Sequence, residues 1–276
     1  MNFSTYFPEL RPWVESLVNV WPTPMVKPQF AHWQVWHIVS LFMLGGAMIL
    51  MNLRLLGVGL TTEPPSVIEK NVRPWLAIGV IGVLVSGVLI GMANAEKLYD
   101  SPAFTVKMIS LVAAIIFTYL VCVPTAKAEG RVGSVAKASM LIAMVAWLWS
   151  LWIFSTVVGL APGVILVIIA AAMMVMATLQ GRIRWVYLAG LLAIILAQQV
   201  VTHFVLNIDA NYDAWVSANK WFTRGEALWV VLFAAYQIVA VRNPLAGGPL
   251  TRLVAFSSLL VWVTVAAAGR WIAFAT

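Results

Sequence analysis

The chain has 276 residues, of which 62% are hydrophobic and only 10% are charged, and its formal net charge is +7 at pH 7. A soluble domain carries about 25% charged residues, so this composition excludes a water-soluble globular protein and predicts an integral membrane protein. No basic cluster is interleaved with aromatic residues, which excludes a nucleic-acid groove. We interpret the basic excess as loop charge that sets the orientation in the membrane.

An amphipathic segment precedes the first long apolar run. Over residues 8–20 the apolar side chains recur at helical spacing and the charged side chains lie off that stripe, which predicts a short helix. This helix either lies in the plane of the membrane interface or packs on a partner protein. We assign residues 1–28 to an interfacial N-terminal segment and residues 29–276 to a single transmembrane domain.

Eight apolar runs follow, separated by turns that contain proline or glycine. A helix needs about 20 apolar residues to cross a bilayer. The predicted spans are residues 30–56, 74–95, 104–123, 135–158, 162–180, 183–206, 226–241 and 250–275. The sequence therefore predicts an all-α, polytopic transmembrane bundle of about eight spans, of which residues 226–241 form the shortest.

The distribution of basic residues predicts the orientation. With eight spans and an outer N-terminus, ten of the 17 Lys and Arg residues fall on the inner side, as the positive-inside rule requires. We therefore expect a multi-pass protein of the bacterial inner membrane with both termini in the periplasm.

Two of the three histidines, His37 and His203, lie within the long apolar runs of the predicted spans, whereas His32 is near the start of the first span. A ligand-capable side chain inside a membrane is costly and marks a candidate functional site. Both residues fall roughly 5–10 Å below the outer boundary at 1.5 Å rise per residue. Two imidazoles at matching depth are the minimum requirement for bis-histidine ligation of a b-type haem.

Polar residues near the same level fit such a site. Arg270 and Lys107 are expected to pair with haem propionates, because cationic side chains bind carboxylates strongly. Gln199 precedes His203 by one helical turn and is expected to orient its imidazole. A structural alternative stays open, in which His37 bonds Gln34 or a backbone carbonyl and only holds helices together.

Copper is an alternative cofactor. His32 precedes His37 by five residues, which places the two about 140° apart on a helix. With His37, His203 and the outer-side methionines Met25, Met92 and Met108, His32 would supply the imidazole and thioether ligands that suit copper.

Several other chemistries are excluded. No Asp or Glu lies in the middle of a predicted span, which argues against a carboxylate-driven proton or cation pathway. The motifs of phosphate-binding loops, serine hydrolases, zinc proteases and dinucleotide enzymes are missing from the sequence. The single cysteine, Cys122, excludes an intramolecular disulfide.

Three short motifs carry a family resemblance. They are Asn-Leu-Arg-Leu-Leu-Gly at residues 52–57, Tyr-Asp-Ser-Pro-Ala-Phe-Thr-Val-Lys-Met at residues 99–108 and Gly-Arg-Trp-Ile-Ala-Phe at residues 269–274. With the histidine of the first span, this pattern resembles the bacterial membrane proteins of DUF6644 type, although Asn52 and Ser101 stand where that family often has Asp and Asn. More loosely, the arrangement is similar to cytochrome b and copper-resistance D-type helical membrane proteins.

The resemblance implies a helical membrane domain and offers no support for His203. The residues that it highlights are His37, Arg54, Tyr99, Pro102, Phe104, Lys107 and Arg270.

Three functional hypotheses follow from these observations. The first is an electron-transfer subunit with one b-type haem, which links a periplasmic redox partner to quinone. The second is a copper-handling membrane protein. The third is a non-catalytic membrane anchor of a larger complex, with residues 8–20 and the polar segment 207–224 as its docking surface.

Overall fold

The computed structural model describes residues 2–156, 162–206, 209, 211–241 and 245–273. Every regular element in these ranges is helical, as the sequence predicts. The long helices are α1 (Phe30–Leu56), α2 (Pro65–Ala93), α3 (Pro102–Ile116), α4 (Ser134–Thr156), α5 (Pro162–Thr178), α6 (Arg182–Val200), α7 (Tyr212–Val239) and α8 (Pro249–Trp271). Helices α3 and α6 continue into π-helical turns at Phe117–Cys122 and Val201–Val205.

Six helical stretches in the described residues are long and apolar enough to cross a membrane, so this is a multi-pass membrane protein. They are Thr23–Leu56, Pro65–Ala93, Pro102–Lys127, Ser134–Thr156, Arg182–Val205 and Pro249–Trp271. The fifth predicted span contains the shorter apolar helix Val164–Thr178, and the seventh lies in the second half of α7. The ends of the fourth and eighth predicted spans, residues 157–158 and 274–275, lie outside the described residues.

The second helix begins earlier than the sequence predicts. It starts at Pro65 rather than at Pro74, because a proline suits the first turn of a helix and the polar residues that follow stabilise it. The guanidinium of Arg73 donates two hydrogen bonds, of 2.8 and 2.6 Å, to the buried carboxylate of Glu69 one turn earlier. Pro74 therefore lies inside the helix.

The N-terminal segment is a chain of short helical turns. Residues Pro8–Leu10, Arg11–Ser16 and Leu17–Asn19 follow one another as 3-10, α and 3-10 turns. Val14 is the buried residue of the middle turn, and the segment packs on the connection between α2 and α3 and on α2 itself. Its position in a membrane interface stays a prediction.

Helix α8 lies at the centre of the bundle. In the apolar 18-residue stretch of α8, 72% of the residues are buried, whereas in the corresponding stretch of α6 only 6% are buried. Helix α8 packs on α1, α3 and α5, whereas α6 packs mainly on α7. The last helix in the sequence therefore forms the core, and the sixth lies at the periphery.

Helices α1 and α2 form a tightly packed hairpin. A Cβ atom at Gly79 would lie 2.6 Å from the backbone nitrogen of Leu44, closer than two such atoms can approach. A Cβ atom at Gly82 would overlap the side chain of Ser40 in the same way. Small residues allow this close contact between helix backbones, as is typical of membrane helix pairs.

Buried polar contacts join α8 to its neighbours. The indole nitrogen of Trp262 donates to the hydroxyl of Thr118 at 3.0 Å, and that of Trp147 donates to Thr264 at 2.9 Å. Apolar surface does not distinguish helix from lipid inside a bilayer, so contacts of this kind specify which helices pair.

One of the ten basic residues counted on the inner side is buried. Arg252, in the first turn of α8, is 5% exposed. Its guanidinium donates to the carbonyls of Gln237 at 2.7 Å and Gly247 at 3.2 Å, and also to that of Val241. Two of these carbonyls lie at the C-terminal end of α7, where a cation is favoured by the helix dipole.

Candidate functional site

His37 lies on the face of α1 that packs against α2. The Nδ1 atom of its imidazole is 2.9 Å from the hydroxyl oxygen of Ser86. The ring packs against Gly87, where a Cβ atom would lie 3.3 Å from the Cε1 atom of His37. Neighbouring small residues on α2 therefore accommodate the imidazole, one by a hydrogen bond and one by leaving space.

The hydrogen bonds of Ser86 determine the tautomer of His37. The Ser86 hydroxyl donates its single proton to the carbonyl of Gly82, one turn earlier. In the bond to His37 it must therefore accept, so the Nδ1 atom of His37 carries the proton. In a neutral imidazole this leaves Nε2 with a free lone pair, which is the arrangement of a histidine that binds a metal.

Lys107 on α3 lies near this imidazole. Its ammonium is close enough to His37 for the two groups to interact electrostatically. On the other side it packs on α8, where a Cβ atom at Gly269 would lie 3.8 Å from the Nζ atom. Within the described part of the chain, no carboxylate forms an ion pair with Lys107. An unpaired cation in a membrane span is costly and marks a functional site.

The sequence predicted His37, Lys107 and Arg270 as parts of one site. The structure brings His37 and Lys107 together, and Arg270 follows the glycine against which Lys107 packs. The side chain of Arg270 is exposed.

The connection between α2 and α3 holds the N-terminal segment over this end of the bundle. The guanidinium of Arg11 pairs with the carboxylate of Asp100 at 2.6 Å and lies 5.5 Å from the ring centre of Tyr99. The hydroxyl of Tyr99 donates to the carbonyl of Phe7. A hydrogen bond from the Ser4 hydroxyl and the charge of Arg11 lower the pKa of Asp100.

These contacts account for the second sequence motif. Ser101 caps α3, since its hydroxyl accepts a hydrogen bond from the backbone nitrogen of Phe104 at 3.4 Å, and Pro102 occupies the first helical turn. The ring of Phe104 packs on Phe3, with 5.7 Å between the ring centres. Residues 99–104 therefore anchor the N-terminal segment and begin the helix that carries Lys107.

His203 lies elsewhere in the bundle. It is exposed in the π-helical turn that ends α6, and its Nδ1 atom is 3.3 Å from the hydroxyl of Thr202. Helix α6 packs mainly on α7, whereas α1 packs mainly on α2 and α8. The two histidines thus lie on helices with different partners, and the structure places Ser86 and Lys107, rather than His203, around His37.

Three other residues of the predicted sites are exposed. Gln199 is exposed, and the preceding residue, Gln198, bonds Asn219 at 2.9 Å. His32 and Met25 are exposed near the start of α1. Among the described residues, no group of three or more His, Cys, Asp or Glu side chains is arranged to hold a metal.

Ser86 and Gly87 are site residues that sequence reasoning missed. The available signal was a serine beside a glycine in the middle of an otherwise apolar run. A hydrophobic span gives no indication of which neighbour such a serine will face.

The comparisons with known proteins agree with the motif resemblance. A model of the family of unknown function DUF6644 matches residues 28–161, a range that includes His37, Ser86 and Lys107. No curated protein and no solved structure matches the chain. The resemblance to DUF6644 is therefore confirmed over residues 28–161.

Proposed function

We propose that this protein is a membrane electron-transfer subunit that binds one b-type haem through His37. In this proposal the haem lies near the membrane end that carries the N-terminal segment, and electrons pass between a periplasmic redox partner and quinone. The observation that carries the proposal is the hydrogen bond between His37 and Ser86.

The hydrogen bond prepares His37 for ligation. The Ser86 hydroxyl oxygen accepts a hydrogen bond from the Nδ1–H group and holds the ring against α2, so Nε2 presents its lone pair. A partner on the second ring nitrogen fixes the tautomer and orientation of a ligating histidine. A bound haem would supply a one-electron iron couple, and the protein would supply the axial ligand and the local polarity.

The positive charge of Lys107 favours an anionic ligand over a cationic one. A haem carries two propionates, and a lysine with no carboxylate partner among the described residues is suited to bind one of them. A copper ion at His37 would instead bring a second positive charge close to the Lys107 ammonium. Copper handling is therefore the weaker candidate, and the exposed His32 adds no ligand next to His37.

The anchor hypothesis receives less support. In its proposed docking helix, residues 8–20, Val14 is buried and the Arg11 guanidinium pairs with Asp100 of the protein's own α2–α3 connection. Groups that are engaged inside the chain are less available for a partner. The other docking segment, residues 207–224, lies partly outside the described residues.

For the membrane arrangement we propose eight spans in the bacterial inner membrane, with both termini in the periplasm. Helix α5 has 17 residues, which is about 25 Å of helix, close to the roughly 30 Å of a hydrocarbon core. It packs on the central helix α8, so its depth in the bilayer is tied to that of a helix long enough to span.

The test is the reduced-minus-oxidised visible spectrum of the full-length protein, purified in mild detergent from a bacterial membrane. We expect the α-band and Soret shift of a b-type haem, and a pyridine haemochrome assay that gives about one haem per chain. A flat spectrum in haem-replete cells contradicts the proposal.

Three matched variants assign the ligand. His37→Ala is expected to abolish the spectrum, whereas His32→Ala and His203→Ala are expected to retain it. A full spectrum in His37→Ala rejects His37 as the ligand. Copper measured in the same samples, and lost in His32→Ala, would favour copper handling instead.

A further inference from the structure

A cavity of about 390 Å³ opens at the other end of α1 from His37. Arg54 lies 17 residues after His37 in the same helix, which places the two about 25 Å apart along the helix axis. The cavity is formed by three connections: between α1 and α2, before α4, and before α8. Its polar lining residues are Arg54, Thr62, Glu63 and Glu129. We call it the Arg54 cavity.

Arg54 lines this cavity with its guanidinium. Its Nε atom donates to the carbonyl of Glu63, and its Nη1 atom donates to the carbonyl of Leu245 at 2.9 Å. No carboxylate in the described ranges lies within ion-pair distance of its guanidinium. A guanidinium has five N–H donors, so donors remain for a ligand, and a planar fork of this kind matches a phosphate group.

The rest of the lining adds negative charge to the positive charge of Arg54. Glu63 and Glu129 border the same cavity as Arg54, and two carboxylates disfavour a polyanion. They suit a ligand whose single phosphate charge is accompanied by an ammonium group.

Glu129 is held at the cavity in an unusual conformation. Its backbone φ is +52°, a region that residues with a side chain rarely adopt. Local contacts maintain it, since the backbone nitrogen of Gly130 donates to the carbonyl of Thr125 at 2.8 Å and the Thr251 hydroxyl bonds the Gly130 carbonyl. Strained backbone of this kind concentrates at functional sites.

We propose that the Arg54 cavity binds a phosphoethanolamine group, with the phosphate on the guanidinium of Arg54 and the ammonium toward Glu129 and Glu63. The cavity volume is within the range of small-ligand pockets, about 300–1,000 Å³. Because Arg54 ends a membrane-length helix, the cavity lies where headgroups lie. The ligand is either the headgroup of phosphatidylethanolamine or a soluble phosphoethanolamine compound. The proposal does not depend on haem binding.

The experiment measures lipid retention by the full chain. The purified protein is incubated with equal amounts of phosphatidylethanolamine, phosphatidylglycerol and phosphatidylcholine, and bound lipid is measured by native mass spectrometry. We expect selective retention of phosphatidylethanolamine, and about a tenfold loss in Arg54→Gln, since the phosphate would lose its charge-assisted hydrogen bonds to the guanidinium. Arg184→Gln, an exposed arginine on α6 outside the cavity, is the matched control and is expected to retain the lipid.

A second variant keeps the test decisive if Arg54→Gln does not fold. Glu129→Gln replaces an exposed carboxylate and is expected to remove the preference for phosphatidylethanolamine over phosphatidylglycerol without abolishing binding. A calorimetric titration with free phosphoethanolamine separates the two sources. Saturable binding without lipid retention identifies a soluble ligand, and lipid retention identifies the headgroup. Equal retention of all three lipids together with no binding of free phosphoethanolamine overturns the proposal.

Discussion

The Nδ1 atom of His37 lies 2.9 Å from the hydroxyl of Ser86, whose own proton is already donated to the carbonyl of Gly82. This chain of two hydrogen bonds runs from the backbone of α2 to an imidazole on α1. It leaves the Nε2 lone pair of His37 free, in the neighbourhood of the Lys107 ammonium. The relationship links the packing of the α1–α2 hairpin directly to the chemistry of the candidate site.

Removal of the Ser86 hydroxyl should weaken haem binding while leaving the fold intact. In Ser86→Ala the Nδ1 proton has no acceptor, so the imidazole loses its orientation, and loss of such a partner typically costs about 10–100-fold in ligand affinity. We expect lower haem content and a shifted midpoint potential in the purified protein. Ser40→Ala is the control, because the Ser40 hydroxyl donates to the Trp36 carbonyl on the same helix. Equal loss of haem in both variants would show that Ser86 acts only through packing.

Lys107 should reduce the stability of the haem-free protein. A charged side chain at the centre of a span costs about 2.5–3.5 kcal/mol, so Lys107→Met is expected to raise the midpoint of thermal unfolding in detergent while it lowers haem retention. Lys97→Met changes an exposed lysine in the short helix Ala95–Tyr99 and should alter neither quantity. A lower unfolding midpoint for Lys107→Met would instead mean that this lysine has a structural role.

The α1–α2 contact should tolerate a methyl group at one glycine and not at another. Gly79→Ala places a Cβ atom 2.6 Å from the backbone of Leu44, and such overpacking costs about 1–3 kcal/mol. Gly45→Ala meets nothing within 4 Å, and alanine is the better helix former by roughly 1 kcal/mol. Thermal unfolding should therefore shift in opposite directions in these two variants. A neutral Gly79→Ala would show that the helices separate easily.

Loss of the Trp262–Thr118 hydrogen bond should lower the free energy of unfolding. Thr118→Val preserves shape but leaves the buried indole N–H of Trp262 without an acceptor, which costs about 1–3 kcal/mol. Thr118→Ser retains the hydroxyl and should cost clearly less. Chemical unfolding of both, and of the double variant with Trp262→Phe, measures the coupling. A Thr118→Val effect that persists unchanged beside Trp262→Phe would assign the loss to packing.

Docking of the N-terminal segment should depend on pH. The folded pKa of Asp100 is depressed by the Ser4 hydroxyl bond and by Arg11, so the contact is fully present above the ordinary aspartate pKa of about 4. It weakens as the pH falls through the lower, folded-state value. The protection factors of residues 2–16 in hydrogen exchange should therefore fall below pH 4. Asp100→Asn should show this lower protection at pH 7 as well, and unchanged protection in that variant would exclude Asp100 as the anchor.

The sequence identified the helical membrane domain and two residues of the candidate site. Lys107 was named from its level near the predicted haem and from the family resemblance. His37 was singled out because a ligand-capable side chain is costly in a bilayer. The same argument drew attention to His203, since it registers depth along a helix and not the direction in which a side chain faces. Helix ends were harder to predict where a polar first turn was stabilised within the chain, as at Glu69 and Arg73.

Only the tertiary structure decided which helices pack together and which side chains are neighbours. Within a membrane, lipid and protein cores are equally apolar, so hydropathy carries no information on which helix packs against which. That order depends on small residues such as Gly79 and on individual hydrogen bonds between spans. It places Ser86 rather than His203 beside His37, and it makes Arg252, one of the basic residues counted on the inner side, a buried cap on α7. The sequence by itself determined the solvent in which the chain folds and the depth of its polar residues, and the packing of the spans determined which of those residues meet.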